Sequence, residues 1–388
     1  MQLKCLIKQI TLILCIISIA LYVNSIMYNI VEEYDVSNML VGNGRWRFFT
    51  NFFVFVFFVY SIKYINNKVD KIGRYFMYFF LYAFIVSILI NSSLSYSAYL
   101  PPLFLPVLSY AFGYRYGTGV INEKHIVCLF LLLFLLVTFF YISTARTLLF
   151  IYGFDVNINI SYIPLICSPV LFFIKNKYLK IVLLTILLLL LLSSGKRGGL
   201  VAFTFGYLSV FSLRSGNVRT TFFKYLLMFL VLWGVYEYFS AELMENRTIG
   251  RFFDNDGDMT SGRNSIYEEV WTKFFNSSIL GILFGHGFFS VNKYLSEGMS
   301  AHNDYLEVLF DYGLIGIIMY LFLHGTLLFK LKELYQSKSN VLEPFVYSYV
   351  VFLVLSFVSH MVGYSYFFLQ TMWFGIILGY SRYNKINK

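Results

Sequence analysis

Residues 301–316 read Ala-His-Asn-Asp-Tyr-Leu-Glu-Val-Leu-Phe-Asp-Tyr-Gly-Leu-Ile-Gly, and this stretch joins a polar cluster directly to a long apolar run. It closes the one long polar segment of a chain that is otherwise almost entirely apolar. A histidine where a helix enters a bilayer can transfer protons near neutral pH, so His302 is the first candidate for chemistry. A purely structural role at the helix entrance is the alternative.

The composition of the 388-residue chain is that of a membrane protein. It is 59% hydrophobic, 21% aromatic and 13% charged, which is far from the composition of soluble domains. A membrane span needs about 20 mostly apolar residues, and about twelve windows meet this requirement. The windows lie at 9–31, 47–65, 74–92, 97–113, 126–144, 157–174, 178–194, 198–213, 221–240, 303–329, 343–361 and 364–381. The predicted fold is an all-α polytopic membrane protein with one extracytoplasmic segment.

The basic residues predict the orientation of these spans. Lys and Arg collect in alternate loops, as at Lys63, Lys68, Lys175 and Lys330, which is the positive-inside pattern of cytoplasmic loops. An even number of spans then places both termini in the cytoplasm. The net charge of +10 is explained by this topology, and no nucleic-acid partner is predicted.

The predicted domain organisation has three parts. Residues 1–240 form an N-terminal transmembrane bundle of about nine spans, and residues 303–388 form about three more. Residues 241–302 form the extracytoplasmic segment between them. Apolar residues recur there at helical spacing and predict an amphipathic helix on the outer membrane surface: Ile266, Tyr267, Val270, Trp271, Phe274 and Phe275. Arg263 stands at the start of this helix, where it either binds an anion or only solvates the helix end.

A second basic pair lies against the predicted topology. Lys196 and Arg197, within Ser-Ser-Gly-Lys-Arg-Gly-Gly at 193–199, fall in a short turn that the alternation places outside. Such residues can simply anchor to lipid headgroups. The alternative is an anion site, because glycines allow close backbone approach, a helix start offers free N–H groups and a guanidinium binds phosphate with two hydrogen bonds.

The polar residues around His302 have compatible predicted roles. Asn303 can cap the following helix, and Asp304 suits the positive end of its dipole. Asp311 lies about two turns further along, where an ionised side chain in a membrane is costly and usually functional. Its predicted roles are to pair with an arginine or to orient His302.

No metal or cofactor is predicted. The four cysteines have neither the spacing nor the companion histidines of a metal site or a disulfide framework. The acidic stretch Asp-Asn-Asp-Gly-Asp at 254–258 resembles a calcium loop, but its glycine is misplaced and no glutamate follows at the twelfth position. An acidic turn is favoured over a metal site.

Three ordered blocks of this sequence resemble the superfamily of bacterial O-antigen ligases and polymerases. His302-Asn303 followed by Gly313-x-x-Gly316 resembles its main signature. The stretch 196–200 resembles its Ser-Arg-Gly segment, with Lys196 where serine is usual. Ser-Gly-Arg at 261–263 and the later Gly285-His286-Gly287 resemble its Ser-Gly-Arg helix and Gly-x-Gly turn. The resemblance covers about 190–325, and the first 185 residues resemble the family only in being a string of spans.

The resemblance implies a glycosyltransferase with the helical fold of lipid-linked glycosyltransferases. The implied donor is an undecaprenyl-diphosphate-linked oligosaccharide, used at the periplasmic face of the bacterial inner membrane. Lys196, Arg197 and Arg263 are expected to bind the diphosphate, and His302 is expected to take the proton of the acceptor hydroxyl. Asn303, Asp304 and Asp311 are expected to support the site. The implied reaction inverts the anomeric centre without a metal.

Polymerase and ligase share these motifs, so both activities remain open. A polymerase extends one lipid-linked repeat with another, and a ligase moves the finished chain to lipid A-core. The modest extracytoplasmic loop and the aromatic-rich composition favour the polymerase, with a chain-length regulator and a flippase as possible partners. A second alternative is a precursor flippase or transporter, but the repeated halves typical of transporters do not stand out in the sequence.

Overall fold

The computed structural model describes residues 17, 19–21, 69–90, 96–119, 123–152, 161–194, 196–215, 263–295, 300–362 and 367–386. Within these ranges every regular element is a helix. The predicted windows 47–65 and 221–240, most of 9–31 and the acidic stretch 254–258 lie outside the described residues.

Twelve α-helices follow one another in the described ranges. Their bounds are α1 Lys71–Ile90, α2 Tyr96–Gly119, α3 Glu123–Tyr152, α4 Tyr162–Cys167, α5 Lys177–Ser193, α6 Arg197–Ser215, α7 Arg263–Phe275, α8 Ile279–Phe284, α9 Ser290–Tyr294, α10 Asp304–Gln336, α11 Leu342–Val358 and α12 Phe367–Ile386. A 3-10 helix, Ser168–Phe173, continues α4.

The helical prediction is confirmed wherever a predicted window falls on described residues. Each such window coincides with one helix, except 157–174, which combines α4 with the 3-10 helix. Two of the helices searched, α1 and α10, are long and apolar enough to cross a membrane; α11 is among the shorter apolar ones. The architecture is consistent with a membrane protein, and the count of twelve spans remains a prediction.

The largest helix contact joins α2 to α12 through glycines on both helices. A Cβ atom at Gly113 or Gly117 would collide with the backbone of α12, and one at Gly375 or Gly379 would collide with the backbone of α2. Small residues let helix backbones approach this closely, which increases van der Waals contact where the hydrophobic effect is weak. The sequence patterns considered above did not identify this pair.

The helix α10 reverses its direction at Gly313 and is not the single span predicted at 303–329. Gly313 has φ 67° and ψ −167°, a conformation that residues with a Cβ rarely adopt. The Tyr320 hydroxyl lies 3.2 Å from the Asp304 carboxylate, whereas a straight helix would separate residues 304 and 320 by about 24 Å. Residues 304–312 therefore form a short arm that folds back along residues 314–336. The longer arm, about 34 Å by helical rise, still suffices for a membrane core of about 30 Å.

The reversal exposes carbonyl groups that other parts of the chain satisfy. The Asp311 carbonyl accepts hydrogen bonds from the N–H groups of His286 and Gly287, at 3.1 and 2.8 Å. The Tyr312 carbonyl accepts one from the Tyr82 hydroxyl of α1 at 2.9 Å. Since the last carbonyls of a helix lack partners within it, the Gly285–Gly287 turn acts as the cap of the short arm.

The α2–α12 contact can be tested with two glycine variants of opposite expected effect. Gly375→Ala forces a Cβ atom into the Tyr110 carbonyl and should destabilise the protein by about 1–3 kcal/mol. Gly325→Ala lies in α10 with nothing within 4 Å of the added atom, and the better helix propensity of alanine should stabilise it by up to about 1 kcal/mol. Thermal unfolding in detergent measures both. Equal unfolding temperatures for the two variants would contradict the close contact.

Candidate functional site

His302 lies in a tight turn directly before the short arm of α10. Its backbone has φ 51°, in the left-handed region that non-glycine residues seldom occupy. The His302 N–H donates to the Ser300 hydroxyl at 3.2 Å. The Asn303 side chain accepts from the N–H groups of Tyr305 and Leu306 at 3.0 and 3.2 Å, so its predicted capping role is confirmed. The turn therefore presents the histidine at a capped helix start.

Two of the predicted cations act on His302. Burial, and after it the charges of Arg263, Lys196 and His360, together lower the pKa of His302 from 6.5 to about 4. The structure thus brings together three residues that are far apart in the sequence. Their combined effect keeps the imidazole neutral at physiological pH.

Arg263 is placed by the end of α11. It is the first residue of α7, and its Nη1 donates to the Val358 carbonyl at 3.1 Å. The carbonyl at a helix C-terminus carries partial negative charge, so this contact orients the guanidinium without neutralising it. Tyr162, which the sequence did not single out, also interacts with the Arg263 charge and bonds to Ser359.

Lys196 and Arg197 occupy the predicted turn between α5 and α6. Arg197 begins α6, and the Lys196 N–H donates to the Ser194 hydroxyl at 3.2 Å. A Cβ atom at Gly198 would approach Val358 and the Tyr162 hydroxyl within 3.0 Å. The glycine therefore lets this basic turn pack against the same helix ends that position Arg263.

The helix predicted in this segment is confirmed as α7, but its apolar residues fall into a buried group and an exposed group. Ile266, Val270 and Phe274 are buried in a cluster that includes residues of the short arm of α10. Trp271 and Phe275 stack with ring centroids 5.6 Å apart and are exposed. The buried side fixes Arg263 against the protein, and contact with a membrane surface remains a prediction for the exposed side.

Asp304 connects the His302 turn to the loop after α11. Its carboxylate is fully buried and accepts from the N–H groups of Met361 and Val362 at 2.6 and 3.1 Å. The Tyr320 hydroxyl donates to its other oxygen. Asp304 therefore holds two helix ends together, and the supporting role expected for it in the site remains a prediction.

Asp311 makes contacts that differ from both of its predicted roles. Its carboxylate accepts from the N–H groups of Phe289 and Ser290, both at 2.9 Å. These donors begin α9, so Asp311 caps a neighbouring helix from a distant part of the sequence. The residue secures the 285–291 segment against the reversal in α10.

Two buried side chains lie next to the turn that carries His302. Glu307 is 1% exposed and His360 is 2% exposed, and the His360 Nδ1 lies 3.6 Å from the Glu307 Oε1. The helical spacing of Glu307 from Asn303 was visible in the sequence. His360 carried no local signal, because only the packing of α11 against α10 brings it to the turn.

The described residues contain no group of three or more His, Cys, Asp or Glu side chains that could hold a metal ion. The buried acids near His302 instead accept hydrogen bonds from backbone and hydroxyl groups. The positive charges that act on His302 are those of Arg263 and Lys196, and a contribution of Arg197 to the site remains a prediction.

The fold and the site together define a class of protein. Every regular element of the described residues is a helix, and the apolar helices among them are consistent with a membrane protein. The charges of Arg263 and Lys196 act on a neutral His302 next to the start of α10. Residues 181–321 match the family described as O-antigen ligase. This match supports placing the chain in the O-antigen ligase and polymerase superfamily and confirms the resemblance predicted from the sequence motifs.

The matched segment contains each of the predicted site residues. The family is a glycosyltransferase-like group of ligases and polymerases that acts on lipid-linked polysaccharide in the membrane. A comparison with curated proteins found no match to this chain.

The lowered pKa of His302 predicts a dependence of stability on pH. The pKa of His302 is about 4 in the folded protein, whereas its ordinary pKa is 6.5. Between these values the unfolded chain binds more protons, so the stability that His302 contributes is present above 6.5 and is lost as the pH falls through 4. The wild type should therefore lose more thermal stability between pH 7 and pH 4 than His302→Gln does. Unfolding temperatures in nanodiscs measure this, and parallel declines would contradict the prediction.

Proposed function

We propose that this protein is an O-antigen polymerase, which transfers a growing glycan from undecaprenyl diphosphate to a lipid-linked repeat unit. The observation that carries the proposal is the arrangement of a neutral His302 beside Lys196 and Arg263. A base for the acceptor and cations for a diphosphate leaving group are the two requirements of this transfer. The family match supports ligase or polymerase chemistry in general.

The proposed donor site is the cluster of Lys196, Arg197 and Arg263. A lipid diphosphate gains negative charge on the bridging oxygen as its bond to the sugar breaks. Fixed cations and the helix starts that carry Arg197 and Arg263 stabilise that charge without reorganising. Lys196, where the family usually has serine, adds a further positive charge on this side of His302.

In the proposed mechanism His302 acts as the general base. The acceptor hydroxyl attacks the anomeric carbon from the side opposite the diphosphate, its proton passes to the His302 imidazole, and a new C–O bond forms. The bond between the anomeric carbon and the phosphate oxygen breaks with its electron pair leaving on the diphosphate, so the configuration inverts. The scheme includes no metal or cofactor.

Binding of the donor would also raise the pKa of the base, His302. The charges of Arg263 and Lys196 help to lower the pKa of His302, and the bound diphosphate offsets both charges. The pKa of His302 then rises toward its ordinary value, which makes proton transfer more favourable. The base thus becomes stronger only when the donor is in place.

The proposed setting is the bacterial inner membrane, with the site facing the periplasm and both termini in the cytoplasm. The basic loops support this orientation through the positive-inside pattern. A flippase would deliver the lipid-linked repeats, and a chain-length regulator would set the extent of polymerisation.

An O-antigen ligase is the second candidate, and the name of the matched family favours it. The same cations and base serve either reaction, since the donor is the same class of molecule. The two activities differ only in the acceptor, which is a lipid-linked repeat for the polymerase and lipid A-core for the ligase.

The lipopolysaccharide gel pattern of a strain lacking this gene distinguishes the candidates. Cores that carry a single repeat, with the ladder restored by wild type but not by His302→Ala, are expected for a polymerase whose base is His302. His286→Ala is the control, because His286 bonds to Ser277 away from the cations, and it should restore the ladder. Cores without any repeat would instead indicate the ligase, and a full ladder with His302→Ala would remove His302 from the mechanism.

The role of Arg263 can be tested against a second cation of the same helix. Arg263→Ala should lower the rate of transfer by about 100-fold or more, the usual effect of losing one preorganised contact to a developing charge. Lys273→Ala removes a partly exposed ion pair with Glu269 and a hydrogen bond to the Tyr294 carbonyl near the other end of α7, and it should leave the rate unchanged. The assay uses purified protein and lipid-linked repeats extracted from the deletion strain. Equal rates for the two variants would contradict the proposed diphosphate site.

A further inference from the structure

The turn that carries His302 is bonded to a buried carboxylate. The Glu307 Oε1 accepts a hydrogen bond from the Ala301 N–H at 2.6 Å and another from the Ser300 hydroxyl. The same Ser300 oxygen accepts the His302 N–H. Glu307 is therefore hydrogen-bonded to both residues that precede His302. Ser300 is in turn hydrogen-bonded to the His302 backbone.

A second buried histidine completes this arrangement. The His360 Nδ1 lies 3.4 Å from the Ser300 Oγ and 3.6 Å from the Glu307 Oε1. The His360 ring also packs against Phe289, with centroids 5.6 Å apart. His360 comes from the loop after α11, so it ties the turn to a different helix from the one that carries Glu307.

Burial of the Glu307 carboxylate costs free energy, and this cost is explained if the carboxylate stabilises the turn that carries His302. A buried carboxylate loses its hydration, and the Glu307 Oε2 has no hydrogen-bond partner among the described residues. A residue that only had to fill space there would be apolar. The left-handed backbone of His302 is also strained for a residue with a Cβ atom, and such strain persists where surrounding contacts enforce it.

We propose that Glu307 and His360, joined through Ser300, form a positioning pair that holds His302 in its left-handed turn and so fixes the imidazole beside Arg263 and Lys196. The proposal rests on the function proposed above, in which His302 is the base. Neither member of the pair needs to touch a substrate. The pair acts through the backbone of the turn and Ser300, whereas the carboxylates behind metal-binding histidines bond to the ring itself.

The first test separates positioning from substrate binding. Glu307→Ala should lower kcat by about 10–100-fold, the usual range for such supporting residues, with little change in KM for the lipid-linked repeat extracted from the deletion strain. Glu307→Gln keeps an oxygen that accepts from Ala301 and Ser300 and should recover most of kcat. The control is Glu269→Ala, which removes a partly exposed carboxylate of α7 that is paired with Lys273, and it should match wild type. Equal kcat for Glu307→Ala and wild type would overturn the proposal.

The second test does not depend on activity. Diethyl pyrocarbonate acylates neutral imidazole, and mass spectrometry of the full-length protein in nanodiscs gives the rate at each histidine. Release of the turn in Glu307→Ala should expose the ring and raise the rate at His302 several-fold, while the rate at His286 stays constant. An unchanged rate at His302 would overturn the positioning role. If Glu307→Ala does not fold, Ser300→Ala removes only the joining hydroxyl and should raise the rate in the same way.

The two proposals fail in different ways. If His302→Ala is inactive while Glu307→Ala has normal kcat and a normal rate of acylation, the positioning pair is wrong and the proposed function stands. If His302→Ala is fully active, the proposed base is wrong. A raised acylation rate in Glu307→Ala would then still show that the pair holds the turn.

Discussion

The reversal of α10 at Gly313 is the constraint on which the rest of the site depends. It turns a single apolar stretch into two arms and brings the start of the short arm beside Tyr320 of the long arm. Without it, His302 would stand alone at the end of a long helix. With it, the histidine lies among the ends of α6, α7 and α11, where Lys196 and Arg263 act on it.

Three carboxylates of the short arm secure this arrangement in three directions. Asp304 bonds to the loop after α11, Glu307 to the turn before the arm, and Asp311 to the segment that begins α9. Asp304 and Asp311 use their oxygens mainly for backbone N–H groups, and Glu307 accepts from one backbone N–H group and one hydroxyl. Polar groups buried in an apolar bundle are tolerated when they are hydrogen-bonded in this way.

The sequence predicted where helices lie along the chain but not the reversal of direction within α10. Apolar windows identified the helices on the described residues, because a long apolar run allows few other structures in a membrane. The reversal was not predicted, since the apolar pattern continues on both sides of Gly313, which the sequence marked only as part of the family signature. Its conformation depends on the end of α8, because the Leu283 carbonyl and the Gly285 nitrogen occupy the space where a Cβ atom would stand.

By itself the sequence determined the all-helical apolar class, the family motifs and the chemical types of the site residues Lys196, Arg263 and His302. These follow from composition and from short local patterns, which need no knowledge of distant contacts. Only the tertiary structure decided that His360 and Glu307 lie beneath His302, and that Asp311 caps another helix. The physical reason is that such contacts join groups separated by many residues, and the backbone reversal and the close approach of helix ends decide which groups meet.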